Sequence, residues 1–150
     1  MKWFFKRYNE LRLTELYELL KLRASVFVVE QDCSYLDLDG NDPRATHILG
    51  YKKDNLVAYS RIFRPGELEK KYASIGRIVI QKQSRGKGIG IDLVKKSIIF
   101  CKKQFGDQII KISAQVYLIN FYKKCGFIEK GEVYLEDAIP HISMYLNYSD

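Results

Sequence analysis

Apolar residues recur along the chain at two periods, and the changes between them mark the elements. A short apolar run at Trp3 to Phe5 predicts an opening strand that ends near Arg7. Leu13, Leu16, Tyr17, Leu20 and Ala24 then return at helical spacing. They predict a helix to about Phe27, capped by Thr14, with Glu15 and Glu18 near the positive end of its dipole. Asp39-Gly40-Asn41-Asp42-Pro43 is turn chemistry and makes the segment after this helix a long loop. Thr46 to Lys52 and Leu56 to Phe63 read as strands joined by a hairpin at Lys53-Asp54-Asn55. Tyr72 to Ile80 reads as a third strand of the same antiparallel meander.

From Gly88 the period changes again. Leu93, Val94, Ile98 and Cys101 form a helical stripe with Lys95, Lys96, Lys102 and Lys103 off it, and Ile109 to Ala114 is a compact β-rich run. Strand, helix and strand make a βαβ unit with parallel strands and a right-handed crossover. A second short helix, about Leu118 to Lys124, stops at Gly126. Strands near Phe127 to Leu135 and His141 to Asn147 follow it. The fold class is α/β in the α+β sense: a mixed, mostly antiparallel central sheet with one parallel βαβ unit. No repeat, low-complexity segment or flexible linker interrupts residues 1–150, which read as one domain. At 150 residues and 47% hydrophobic, the chain is the size of one globular domain, and two independent domains would each be short of core.

Charge adds a location. Between Arg77 and Lys103 eight basic residues accompany one acid, Asp92, so this stretch alone carries the net charge of +7. Glu30 to Asp42 holds five acids and no Lys or Arg, so one region is expected to attract an anion and another a cation. Basic residues confined to one βαβ unit argue against a nucleic-acid partner. Three widely spaced cysteines, Cys33, Cys101 and Cys125, offer neither a disulfide framework nor a metal motif. No run approaches the roughly 18 apolar residues of a membrane span, and the N-terminal apolar run is too short for a signal peptide. The expectation is a cytoplasmic protein with no metal and no membrane or nucleic-acid partner.

The sharpest local signal is Arg85-Gly86-Lys87-Gly88-Ile89-Gly90, between a buried strand and a basic helix. Glycines there let backbone N–H groups approach an anion closely, and the helix N-terminus adds partial positive charge, so a phosphate or pyrophosphate is the natural ligand. The spacing fits neither a Walker A loop nor a dinucleotide fingerprint. A plain Gly-rich turn is the alternative.

Arg85-x-x-Gly88-x-Gly90 resembles the pyrophosphate loop of the GNAT acetyltransferase superfamily in the same strand-loop-helix context. Asn120-Phe121-Tyr122-Lys123-Lys124-Cys125-Gly126-Phe127 resembles that superfamily's second motif. The likeness extends to the ElaA-like branch over nearly the whole chain, through Leu22-Arg23-x-x-Val26-Phe27-Val28-Val29-Glu30-Gln31, Asp37-x-Asp39-Gly40, His47-Ile48-Leu49-Gly50, Gly76-Arg77 and Tyr134-x-Glu136-Asp137-x-x-Pro140-His141-Ile142. Ala138 stands where that branch usually has Gly.

The resemblance implies an acyl-coenzyme A acyltransferase fold in which acetyl-coenzyme A lies where strands 72–80 and 109–114 splay apart. Its pyrophosphate would rest on the amides of Gly86, Lys87, Gly88, Ile89 and Gly90, with side-chain charge from Arg85 and Lys87. The exposed backbone of Ile78, Val79 and Ile80 would hold the pantetheine arm, and Asn120 would contact coenzyme A. Tyr122 falls where many members donate a proton to the leaving thiolate, which suits a phenol with a pKa of about 10. An aromatic core residue is the alternative for Tyr122, and a helix cap for Asn120.

The base that deprotonates the attacking amine is open between Glu30, His141 and His47, with a solvated loop acid, a structural histidine and a hydrogen-bonded sheet residue as their respective alternatives. Cys125 is read as a bystander. The expected activity is acetyl transfer to a primary amine, on a small molecule or a protein, by direct attack on the thioester. Acidic residues near the acceptor side suggest a cationic acceptor. A non-catalytic acyl-coenzyme A binding module is the competing reading, and a homodimer is left open.

Overall fold

The alternating runs pair as the meander requires. In a computed structural model describing residues 1–149, the strands β1 (Lys2–Arg7), β2 (Thr46–Lys52), β3 (Asn55–Phe63) and β4 (Ala73–Ile80) lie side by side and antiparallel. The β2–β3 hairpin turns on two residues, Lys53 and Asp54, because Lys52 already pairs with Asn55. The helix α2 (Ile89–Phe105) crosses to β5 (Ile110–Gln115), which runs parallel to β4. After the short helix α3 (Ile119–Lys124) come β6 (Ile128–Glu129), β7 (Tyr134–Glu136) and β8 (Ile139–Leu146). The eight-stranded sheet has the order β1-β2-β3-β4-β5-β8-β6, with β7 paired to β8. The single strand expected over Phe127 to Leu135 is two, separated where Gly131 takes a φ of 92°.

Strand alternation sends side chains to two cores. Ile48, Ala58, Ile75 and Ile112 pack with Leu93, Val94 and Cys101 of α2 on one face. Leu49, Tyr59 and Val79 pack with Leu19 and Leu22 of the helix α1 (Leu13–Arg23) on the other.

That helix presents a different face from the one expected. Leu13, Tyr17 and Ala24 are exposed, whereas Glu15, Leu19, Leu22 and Arg23 are buried. The rotation is possible because both buried charges have partners: Glu15 accepts hydrogen bonds from Lys6 and Arg12, and Arg23 donates to Asp37 and Asp42. The cap differs too. Thr14 lies inside the helix, and the Glu15 carboxylate instead accepts the Arg12 N–H at 2.9 Å. Beyond Arg23 the chain widens into a π-helix (Ala24–Glu30), with Gln31 N–H reaching Val26 C=O at 3.1 Å, and this delivers Glu30 to the sheet edge of the cleft.

Candidate active site

The site begins with a fault in β4. Its pairing with β3 shifts register between Tyr59 and Arg61, and Arg77 takes a φ of 50° at the resulting bulge. The bend turns β4 away from β5, so that only Ala73–Ile110 and Ser74–Lys111 pair between them. From Ile75 to Ile80 no ladder to β5 satisfies the backbone, and a cleft of about 1170 Å³ opens there. The left-handed conformation of Arg77 is offset by its side chain, whose guanidinium reaches the Asp37 carboxylate at 2.8 Å and the Asp37 carbonyl at 2.9 Å.

At one end of the cleft lies the Gly-rich loop. Gly86 and Gly88 adopt φ of 77° and 79°, and a Cβ at either would meet nothing within 4 Å, so backbone conformation rather than crowding selects glycine. Gly88 is the residue before α2 and supplies no side-chain cap, which leaves the first-turn N–H groups of a 17-residue helix available to an anion. At Gly90 a Cβ would sit 3.3 Å from the Phe121 ring, so here the close packing of α2 on α3 selects glycine. These residues suit a pyrophosphate. Ile78 and Ile80 line the cleft, and Val79 does so with its side chain buried under α1. The Ile89 side chain is buried in the core, leaving only its amide for a ligand, and Lys87 is exposed outside the cleft lining.

Tyr122 is 6% exposed, lines the cleft and packs edge-on between Phe121 and Phe127. Its hydroxyl has no hydrogen-bond partner among the described residues, and burial pushes its pKa up, so it stays a protonated phenol. Asn120 is exposed on α3, outside the cleft lining, and neither caps the helix nor faces the site. Cys125 is buried away from the cleft, with its thiol pKa raised by burial, which suppresses the thiolate.

The three base candidates separate clearly. His47 is fully buried outside the cleft, with Nδ1 at 2.7 Å from the Tyr59 hydroxyl and Nε2 at 2.9 Å from the Asp42 carbonyl, and is a sheet residue. Glu30 lines the cleft, but the Arg85 guanidinium binds it at 2.5 and 3.1 Å and holds its carboxyl below the usual range. Arg85 also donates to the Ile80 carbonyl at 3.1 Å, so its charge is directed at Glu30 and the strand end. His141 lines the cleft with Nδ1 donating to the Ile139 carbonyl at 2.7 Å, which leaves Nε2 as the nitrogen able to take a proton.

The acidic segment is not a cation-attracting surface. Asp37 and Asp42 are buried, and Arg23, Arg61 and Arg77 converge on them and on Asp39. Three arginines thus neutralise three aspartates that the segment alone makes look unbalanced, and the expectation of a cationic acceptor loses its basis. Ser113, Tyr134 and Glu136 also line the cleft beside His141; the sequence marks Tyr134 and Glu136 only as part of the family-like segment and gives none of the three a site role. The five-residue spacing of Glu136 and His141 around a two-residue turn was the signal that could have found Glu136.

Among the described residues, no cluster of three or more His, Cys, Asp or Glu could hold a metal, and no helix is long and apolar enough to cross a membrane. Residues 22–148 match the family model of the acetyltransferase (GNAT) domain. Protein ElaA of Escherichia coli is 42% identical over 146 residues, covering 96% of this chain and 95% of that protein. Its crystal structure superposes with a TM-score of 0.91 over 98% of this chain and 100% of that one. An acyl-CoA N-acyltransferase from Pseudomonas aeruginosa is 37% identical, with a TM-score of 0.91 over 97% of this chain and 99% of the other. A Bacillus subtilis acetyltransferase solved in complex with CoA, 21% identical, shares the fold with a TM-score of 0.63 over 97% and 99% of the two chains.

Proposed function

The chain belongs to the GNAT acetyltransferase family and is an acyltransferase, and on that premise we propose that it moves an acetyl group from acetyl-coenzyme A to a primary amine by direct attack on the thioester. The observation that carries this reading is the splay of β4 from β5 with Tyr122 on its wall and the Gly-rich loop at its end.

The amides of Gly86 to Gly90 and the uncapped start of α2 bind the pyrophosphate. The backbone of Ile78 to Ile80, free of β5, holds the pantetheine arm, and an N–H there stabilises the oxyanion as the amine adds to the carbonyl. His141 takes the amine proton at Nε2, directly or through a water, and Tyr122 protonates the departing sulfur. A thiol with a pKa near 8.5 is already a fair leaving group, so Tyr122 contributes speed rather than necessity. Lys87 adds charge near the pyrophosphate from the exposed side of the loop, and Asn120 has no role in the transfer step.

Residues 1–150 act as one catalytic domain, and three free thiols accord with the reducing cytoplasm. The acceptor is a small-molecule or protein amine, selected without help from net negative charge. The test is release of free coenzyme A from acetyl-coenzyme A across a panel of amines. Turnover with a primary amine supports transfer, and tight acetyl-coenzyme A binding with no turnover on any of them favours a binding module.

A further inference from the structure

Beside His141 the cleft holds a connected set of polar side chains. The Ile139 carbonyl can only accept, so Nδ1 of His141 carries the proton and the neutral ring presents a lone pair at Nε2. That nitrogen stands 3.3 Å from Oε2 of Glu136. Two acceptors face each other until Nε2 is protonated, whereupon the contact becomes an ion pair.

The carboxylate is held for that purpose. Ser113 of β5 donates to Glu136 Oε2 at 3.0 Å and also bonds the Tyr134 hydroxyl. The Tyr134 ring stacks on the imidazole with centroids 6.1 Å apart and planes 21° from parallel. Tyr134 is the direct cross-strand partner of His141, so the β7–β8 ladder fixes the arrangement. Three other acids lining the cleft have basic partners, Glu30 with Arg85, Asp39 with Arg61 and Glu69 with Lys111, whereas Asp137 at the β7–β8 turn has none among the described residues. For Glu136 that partner is His141 alone among the described residues.

We infer that Glu136 is a positioning residue of the base: the Ile139 carbonyl orients the neutral His141 imidazole through Nδ1, and Glu136 stabilises and holds the imidazolium formed at Nε2 as the amine adds. The inference rests on the reading of His141 as base. In the step it supports, the N–C bond forms and the proton of the attacking nitrogen passes to Nε2. The C–S bond then breaks, its electron pair leaving on sulfur, which takes the Tyr122 proton. Solvent removes the proton from Nε2 and returns one to the phenolate, so only the acetyl group is transferred.

Steady-state kinetics on Glu136→Gln, His141→Ala and the double variant tests this. Glu136→Gln is expected to lower kcat about tenfold while KM for the amine and the thermal shift with acetyl-coenzyme A stay at wild-type values. In the His141→Ala background the same change is expected to cost less than about twofold, because Glu136 acts through the missing ring. Ser113→Ala, which loosens the carboxylate without removing it, is expected to give a smaller loss in kcat and serves if the glutamine variant does not fold. A raised KM at unchanged kcat would make Glu136 an ammonium anchor and overturn the inference, as would equal losses with and without His141. Wild-type turnover in His141→Ala would overturn the base assignment and the inference together, whereas impaired His141→Ala beside an unimpaired Glu136→Gln would overturn the inference alone.

Discussion

Glu30 and Arg85, 55 residues apart, join the end of the π-helix to the loop before α2 through hydrogen bonds of 2.5 and 3.1 Å. The contact gives Glu30 a partner and lowers its affinity for protons, which is the wrong direction for a base that must accept one from an amine near neutral pH. Glu30→Gln is therefore expected to lower kcat at least tenfold less than His141→Ala does. Parallel initial-rate measurements at saturating acetyl-coenzyme A check it.

Gly88 and Gly90 are glycine for different reasons, and both lie in the loop proposed to hold the cofactor pyrophosphate. Valine at 88 must enter the left-handed region, and valine at 90 presses on Phe121. Each is expected to weaken the acetyl-coenzyme A thermal shift, with Gly88→Val doing so by deforming the loop itself. A thermal-shift titration of both variants measures it, and wild-type shifts in both would remove the pyrophosphate from this loop.

Acid should unfold the protein in two stages. Burial lowers the pKa of His47, so the unfolded chain takes up that proton first: its contribution is complete above about pH 6.5 and is lost as pH falls through the lowered value. Burial raises the carboxyls of Asp39 and Asp42, but Arg61 and Arg23 respectively outweigh it and hold both below the ordinary value of 3.8. Their contribution is complete above about pH 3.8 and disappears below it. Denaturant midpoints followed across this range should fall first near pH 6 and again below pH 4. His47→Gln should remove only the upper stage.

The β7–β8 turn carries strain that one substitution relieves. Asp137 and Ala138 both have positive φ, 49° and 63°, as a two-residue type I′ turn demands, and alanine is poorly suited to the second position. Ala138→Gly is expected to stabilise the protein by about 1 kcal/mol, or roughly 2–4 °C in Tm, as read by thermal denaturation.

Strand alternation and the change of period at Gly88 were enough to read β2, β3, β4, α2 and β5 nearly to their ends. The face of α1 was not legible that way. A stripe analysis assigns charged residues to solvent, and here Glu15 and Arg23 are inside, each tied to partners distant in sequence. The same pairing hid the neutrality of the acidic segment, although Arg23, Arg61 and Arg77 each interrupt an apolar run and so called for an acidic partner. The loop at Gly86 to Gly90 and Tyr122 were readable because glycine spacing and family motifs are local. The bulge at Arg77 and the contact of Glu136 with His141 arise from register and turn geometry, and treating Phe127 to Leu135 as one strand concealed the second of them.

The most direct test of acid-assisted acyl transfer in this cleft is the kcat of Tyr122→Phe, measured beside its acetyl-coenzyme A affinity. The substitution keeps the ring between Phe121 and Phe127 and removes a hydroxyl that burial holds protonated. The expected result is a fall in kcat on the order of 10² or more with fold and cofactor affinity retained. Wild-type turnover would contradict the assignment of Tyr122 as the acid, and loss of folding or of cofactor affinity would make it a packing residue.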